Sequence, residues 1–260
     1  MSTTVVFDSN VWEQVADEAK RAVAPPTIQA LHDLISMKAI TPFFFEGIVN
    51  LEAIPKKARK AYLQRYKPSI KMSVDNTVEH ESLGTPPAGI PEYLETTVKK
   101  AVALGFRFVH LPRIAAPRHL LADQYKAPEI LPLQVRLDRG FECLRYIESL
   151  GCGKGALMAM LENPQNGLVP ALQDDSITEK KFAQGVAEWM DGDALSATYA
   201  YGLEYFCTSD QGAGAGTSSI FHPSKRALYV QNYNVKIVTP DELLAILHTA
   251  PPEVPAPQEA

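Results

Sequence analysis

The pattern of apolar positions predicts short strands that alternate with longer helices. Runs rich in β-branched and aromatic residues, each bounded by polar residues, glycine or proline, predict strands over 4–7, 39–45, 106–111, 205–208 and 235–238. Apolar residues at helical spacing predict helices from Pro26 to about Ile35, over 46–54, 91–104, 133–150, 155–161, 177–189 and 193–201, and from Pro240 onward. Strands separated by helices are typical of an α/β fold, in which helices cover both faces of a mostly parallel sheet.

Composition narrows the class of protein only slightly. A chain of 260 residues with 46% apolar residues is long enough to form a core without disulfide bonds. Its three cysteines (Cys143, Cys152 and Cys207) are far apart and form no CxxC pair, which argues against a zinc site and for a reducing compartment. No apolar run reaches the roughly 18 residues that span a bilayer, and residues 1–10 lack the features of a signal peptide. We therefore expect a cytoplasmic protein that has no membrane partner.

Four acidic residues occupy the positions where an α/β sheet binds its ligands. Asp8 and Asp210 each follow a predicted strand, Glu46 follows the second strand directly, and Asp193 begins a predicted helix. The carboxyl ends of parallel strands meet at one edge of the sheet, so these carboxylates are expected to converge there. Like charges at short distance raise one another's pKa, and a hard divalent cation relieves that repulsion. The pattern predicts a Mg²⁺ or Mn²⁺ site suited to phosphoryl chemistry.

Two of these positions have a nearby competitor. Asp191 is two residues from Asp193, and residues two apart on a helix point to nearly opposite sides, so only one can face the site. We prefer Asp193 because a run of small residues follows it. Glu52 competes with Glu46, and we prefer Glu46 because it is closer to the end of the strand.

The segment 55–71 contains seven cations and no acidic residue, in a chain with a net charge of −5. Two interpretations remain open: a solvated helix face, or a rim beside the acidic site that contacts phosphates. On the second interpretation the substrate-binding candidates are Lys56, Lys57, Arg59 and Lys60.

Together these motifs resemble those of the PIN-domain nucleases. The resemblance is carried by Asp8-Ser9-Asn10 after the first strand, Thr41-Pro42 with Glu46, Asp193-Ala194-Leu195 with Ala197-Thr198 and Ala200, Thr208-Ser209-Asp210, and residues 235–244. Residues 106–111, followed by Pro112, also look like the family's third strand. The similarity covers 4 to about 70, 106–113, and about 177–247.

The resemblance implies a three-layer fold with a five-stranded parallel sheet in the order 3-2-1-4-5. It also implies an endoribonuclease that hydrolyses RNA phosphodiester bonds with metal-activated water and leaves a 5′-phosphate and a 3′-hydroxyl. By this analogy Asp8, Glu46, Asp193 and Asp210 would be the catalytic metal ligands, for one or two ions. Asn10, Thr208 and Ser209 would hold them by hydrogen bonds.

The chain is about twice as long as a minimal member of that family. On this interpretation the PIN-like core comprises 1–71, the third strand at 106–114, and 177–248. An inserted loop and helix would occupy 72–105, a helical insertion 115–176, and a disordered tail 249–260. The expected partners are single-stranded or structured RNA, an antitoxin-like or other protein, and a second copy of the chain in a homodimer.

Two other functions remain open. The sequence VVFDSN around Asp8 resembles the nucleophile strand of haloacid-dehalogenase-like phosphatases, but those enzymes need a second aspartate where Asn10 stands. The other alternative is a non-catalytic PIN-fold module that binds RNA or protein.

Overall fold

The computed structural model of the protein describes residues 2–67, 70–74, 77–82, 89–111, 122–161, 177–212 and 216–249. Within them the strands are β1 (Thr3–Phe7), β2 (Ile40–Phe45), β3 (Ile70–Val74), β4 (Thr77–Ser82), β5 (Arg107–Val109), β6 (Tyr205–Cys207) and β7 (Lys236–Val238). The helices are α1 (Ser9–Ala16), α2 (Glu18–Ala22), α3 (Pro26–Ser36), α4 (Arg59–Arg65), α5 (Glu92–Leu104), α6 (Leu133–Ser149), α7 (Lys154–Ala159), α8 (Glu179–Ala200), α9 (Pro223–Tyr233) and α10 (Pro240–Thr249). No described helix is both long and apolar enough to cross a membrane.

Five strands form one parallel sheet in the order β5-β2-β1-β6-β7. Numbered along the chain among these five, the order is 3-2-1-4-5, so the predicted α/β class and strand order are confirmed. β1 lies at the centre, between β2 and β6, and the sequence changes direction across the sheet at this strand. Ligands of open α/β sheets bind at the carboxyl ends of the strands beside such a switch point.

Side chains of each strand alternate between two apolar cores. Val5 and Phe7 point to the core formed with α1, α3, α5 and α10, whereas Val6 points to the core formed with α6, α7, α8 and α9. On the first face Phe44 stacks on Phe108 with ring centroids 4.0 Å apart. Because helices cover both faces, the strands are nearly continuous apolar runs, as is typical of buried parallel sheets.

The segments predicted as two helices, 177–189 and 193–201, are one continuous helix, α8. Gly192 in its middle is a packing residue: a Cβ there would lie 3.0 Å from Cα of Gly153 in the turn before α7. The glycine therefore permits close approach of two backbones and does not end the helix. As a result Asp193 lies inside a helix, where the sequence analysis expected it at a helix start.

Two other segments differ from their predictions. Residues 46–54 contain only a short 3-10 helix, Glu46–Val49, followed by turns, and Arg59 hydrogen-bonds the carbonyl oxygens of Glu52 and Ile54 in that region. The polar segment after residue 70 contains the antiparallel strands β3 and β4, where a loop was expected. Of the expected helical insertion at 115–176, residues 115–121 and 162–176 lie outside the described residues, as does the predicted tail beyond 249.

Candidate active site

The carboxylate of Asp8 lies at the end of β1 and caps the first turn of α1. One of its oxygens accepts from the backbone N–H of Ser9 at 2.6 Å. The other accepts from the Asn10 amide at 2.8 Å and from the Thr208 hydroxyl at 2.6 Å. Burial raises the pKa of Asp8, the bonds from Thr208 and Ser9 lower it in part, and the charge of Asp210 raises it. The pKa of Asp8 is thus raised above its usual value.

Hydrogen bonds join the ends of β1 and β6 at this point. The Thr208 hydroxyl also accepts from the backbone N–H of Asp210 at 3.0 Å, and the Ser209 N–H donates to the Asn10 side chain at 3.0 Å. The three residues that the sequence analysis expected to hold the cluster, Asn10, Thr208 and Ser209, thus form one network with Asp8. This network brings Asp8 and Asp210 together at the centre of the sheet edge.

Helix α8 contributes two further carboxylates, Glu188 and Asp191. They are three residues apart, so they share one face of the helix. The pKa of Asp191 lies well above its usual value, first because of burial and then because of the charges of Asp8, Glu188, Glu52 and Asp210. Four other carboxylates are therefore close enough to Asp191 for their charges to raise its pKa.

Glu52 reaches the same cluster from the turns that follow β2. With Asp8 and Asp191 it lines a narrow recess whose other walls are mostly apolar, including Phe45 and Met190. Burial and the charge of Asp8 raise the pKa of Glu52 to about 7, although the nearby Arg59 guanidinium opposes that rise.

Glu188 combines deep burial with an unsatisfied oxygen. Its side chain is 5% exposed, and Oε2 has no hydrogen-bond partner among the described residues. Burial raises the pKa of Glu188 to about 7; a hydrogen bond with Ser219 opposes the rise and the charge of Asp210 adds to it. An acceptor left unpaired in this way costs roughly 1–3 kcal/mol unless a ligand or cation satisfies it.

Glu46 and Asp193 line neither the narrow recess nor the wider cleft described below. Glu46 is buried and its Oε1 accepts from the backbone N–H of Leu111 at 3.3 Å, toward β5. Asp193 is 1% exposed and lies on the side of α8 opposite to Asp191. At both positions the geometry favours the competitor that the sequence analysis ranked second, Glu52 and Asp191.

Asp8, Glu52, Glu188, Asp191 and Asp210 together are called the acidic cluster. A cleft of about 610 Å³ opens in front of this cluster. Its acidic lining includes Glu188, Asp191 and Asp210, and its basic lining comprises Lys56, Lys57 and Lys180. The first two lysines are among the predicted substrate-binding residues. Opposite charges therefore face each other across one opening.

The other two predicted substrate-binding residues are engaged elsewhere. Arg59 is 5% exposed, and its donors bind the carbonyl oxygens of Ile54 at 3.0 Å and Glu52 at 3.1 Å. The Lys60 ammonium donates to the carbonyl oxygen of Ile177 at 3.0 Å. Arg59 thus positions the chain that carries Glu52, and Lys60 ties α4 to the segment before α8.

In the side-chain positions of this structure, no three His, Cys, Asp or Glu side chains of the described residues converge closely enough to hold a metal ion. The hydrogen bonds of Asp8 partly explain why its carboxylate does not converge with the others, because both of its oxygens accept bonds from neighbouring residues. A cation at this site would require some of the carboxylates to rotate from the positions described here.

Glu188 was not among the residues predicted from the sequence, and Asp191 was ranked behind Asp193. The available signal was the helical spacing of Gln184, Glu188 and Asp191 along one face of α8. That spacing appears only when 179–200 is treated as a single helix. The assumed break between 189 and 193 concealed it.

Comparisons of the chain with protein-family models, with curated proteins and with solved structures find no match. The resemblance to PIN-domain nucleases therefore stays a prediction from motifs. Any functional conclusion depends on the side chains of the acidic cluster and on the basic lining of the cleft.

Proposed function

We propose that this protein is a Mg²⁺- or Mn²⁺-dependent endoribonuclease of the PIN-like type that cleaves RNA in the cleft in front of the acidic cluster. The observation that carries the proposal is that Asp8, Glu52 and Asp191 line one recess, and Glu188, Asp191 and Asp210 line one cleft, at the carboxyl edge of a parallel sheet. Lysines line the same opening. Acidic residues beside a cationic rim suit a substrate with a phosphodiester backbone.

The donors of the cluster fit a hard divalent cation. They are carboxylate oxygens, the ligands that Mg²⁺ and Mn²⁺ prefer. Oε2 of Glu188 is buried and has no partner among the described residues, and the pKa values of Glu52 and Glu188 are raised to about 7. A cation would satisfy the oxygen and favour the ionised carboxylates. We assign Asp8, Glu52, Glu188, Asp191 and Asp210 as the candidate ligands.

A bound divalent cation would activate water and stabilise the oxygen that departs from phosphorus. The side chains of the protein bind the RNA and orient the carboxylates. Lys56, Lys57 and Lys180 attract the phosphates, and Thr208 and Asn10 fix the orientation of the Asp8 carboxylate. The apolar walls of the recess limit water around the carboxylates.

The proposal is tested by incubating end-labelled single-stranded RNA with the full chain and Mg²⁺ or Mn²⁺. We expect cleavage by the wild type, none in EDTA, and losses of at least about a hundredfold in Asp8→Asn and Asp191→Asn. Asp138→Asn, an exposed aspartate on α6, is the matched control and should retain full activity. Cleavage that survives EDTA or both cluster substitutions would contradict the proposal.

A second pair of variants separates the two glutamates that follow β2. Glu52 lines the acidic recess, whereas Glu46 bonds the backbone of Leu111. We expect Glu52→Gln to abolish cleavage. We expect Glu46→Gln to retain most of the wild-type activity per folded molecule. The opposite result would support the ligand set expected from the sequence.

One observation favours a second candidate, a non-catalytic module that binds RNA. In this structure the described carboxylates do not converge on one point. If this alternative holds, the wild type binds single-stranded RNA in Mg²⁺ and leaves it intact. The phosphatase alternative has no such support, because Asn10 donates to Asp8 at the position where a second aspartate would be needed.

A further inference from the structure

The cleft in front of the acidic cluster follows one face of α8. Its lining includes Lys180, Gln184, Glu188 and Asp191, which are spaced three or four residues apart and therefore share one face of the helix. Lys180 and Asp191 are eleven residues apart, a rise of about 16 Å along the helix axis. The cleft is thus an elongated groove that has a lysine at one end and the carboxylates of the cluster at the other.

The opposite wall of the groove is the chain between Glu52 and Lys60, which runs along α8 in the reverse direction. Glu52 lines the acidic recess together with residues from the middle of α8. Eight residues later, the Lys60 ammonium donates to the carbonyl oxygen of Ile177, just before α8 begins. Lys56 and Lys57 are midway between these two points in the chain, and both line the cleft. The lysines are therefore placed one after another along the groove, at increasing distance from the cluster.

The two halves of the groove differ in charge. Beyond the cluster the described lining contains three lysines and one acidic residue, Glu179, together with the small side chains of Ala183 and Ala187. At the cluster its charged groups are all carboxylates, and the buried Oε2 of Glu188 has no hydrogen-bond partner among the described residues. Phosphates are therefore favoured along the lysine half of the groove, and a cation is favoured at the carboxylate half.

We propose that the groove holds a short stretch of single-stranded RNA on one side of the cut only, with successive phosphates at Lys56 and Lys57 and then at Lys180. This inference rests on the proposed function, because it takes the cut phosphodiester to lie at the acidic cluster. A strand of stacked bases advances about 3.4 Å per nucleotide, so at most about five nucleotides lie between the cluster and Lys180. The groove leads away from the cluster in one direction along α8, and nucleotides on the other side of the cut lie outside it. Lys180 is a substrate-binding residue that was not predicted from the sequence.

The test maps the positions at which a short RNA is cut. A uridine decamer, labelled at its 5′ end or at its 3′ end, is incubated with the full chain and Mn²⁺ until at most one cut per molecule has occurred, and the products are separated by length. We expect cuts within about three nucleotides of one end to be about tenfold rarer than cuts equally close to the other end, because they leave Lys180 without a phosphate. Equal frequencies at the two ends would overturn the inference.

Substitution of two neighbouring lysines assigns the effect to the groove. Lys180→Ala should reduce the difference between the two ends to less than about threefold. Lys181→Ala is the matched control and should keep the full difference, since Lys181 is an exposed lysine in the same turn of α8 that is not among the residues lining the cleft. An unchanged difference in Lys180→Ala, or an equal reduction in Lys181→Ala, would overturn the inference.

Failure of the groove and failure of the proposed function give different results. Decamers that contain one 4-thiouridine are photocrosslinked to the full chain in EDTA, and the crosslinked peptides are identified by mass spectrometry. Crosslinks to 52–60 and 179–187, without cleavage in Mg²⁺ or Mn²⁺, would overturn the nuclease and uphold binding of the strand along α8. Cleavage that is equally frequent at both ends, with crosslinks only outside these two segments, would uphold the nuclease and overturn the groove. Neither cleavage nor crosslinks to these segments would overturn both.

Discussion

Replacing Glu188 by Gln should flatten the pH dependence of stability in the metal-free protein. The Glu188 side chain is 5% exposed, and burial raises its pKa from 4.5 to about 7. Between pH 4.5 and pH 7 the unfolded chain has released this proton while the folded protein still holds it. The free energy of unfolding therefore falls as the pH rises through this window, and above about pH 7 the loss is complete.

The size of this effect follows from the pKa. A rise from 4.5 to about 7 corresponds to roughly 3 kcal/mol of stability that one group loses across the window. Glutamine cannot ionise, so Glu188→Gln should lose about 3 kcal/mol less than the wild type between pH 4.5 and pH 8. The remaining slope should come from the other carboxylates whose pKa values are raised, Glu52, Asp191 and Asp8.

The assay is urea unfolding followed by circular dichroism at several pH values in EDTA. Glu142→Gln, which removes an exposed glutamate on α6, is the control and should follow the wild type. A wild type whose stability rises from pH 5 to pH 7, or a Glu188→Gln protein with the wild-type slope, would refute the reasoning. Mn²⁺ should remove most of the slope, since it binds the ionised carboxylates of the folded protein.

Two other predictions follow from the lysines and from the packing of α8. Lys56→Ala and Lys57→Ala should each weaken RNA binding and reduce the magnitude of the slope of log K against log salt by about 0.7. Anisotropy titrations with RNA from 50 to 300 mM salt measure this slope. An unchanged slope would show that these lysines do not contact phosphates. Gly192→Ala should lower the free energy of unfolding by about 1–3 kcal/mol, because its Cβ would lie 3.0 Å from the Gly153 backbone. Gly89→Ala is the control, since a Cβ there meets no atom within 4 Å; equal stability of the two variants would contradict the packing argument.

The sheet could be predicted from sequence because its signal is local. Each core strand is a short apolar run whose alternate residues face the two cores, such as Phe43 and Phe44 in β2. Asp8 and Asp210 follow two adjacent strands, so the topology alone brings them together. Helix propensity was not needed for either result.

The rest of the site depends on long-range packing that leaves little trace in the sequence. Asp191-Gly192-Asp193 has the composition of a helix break, yet α8 continues through it because Gly192 packs against Gly153. Continuity of the helix is what turns Asp191 toward Asp8 and Asp193 away from it. Similarly, turns after Val49 carry Glu52 to the recess, where a regular helix was predicted.

Calorimetric titration of the metal-free protein with Mn²⁺ tests whether the acidic cluster binds a divalent cation. We expect saturable binding that is lost in Asp191→Asn and Asp8→Asn and kept in Asp138→Asn. We also expect release of protons at pH 7, because Glu52 and Glu188 have pKa values of about 7 and must ionise to bind a cation. The absence of binding, or binding that persists unchanged in Asp191→Asn, would contradict the proposed cation site.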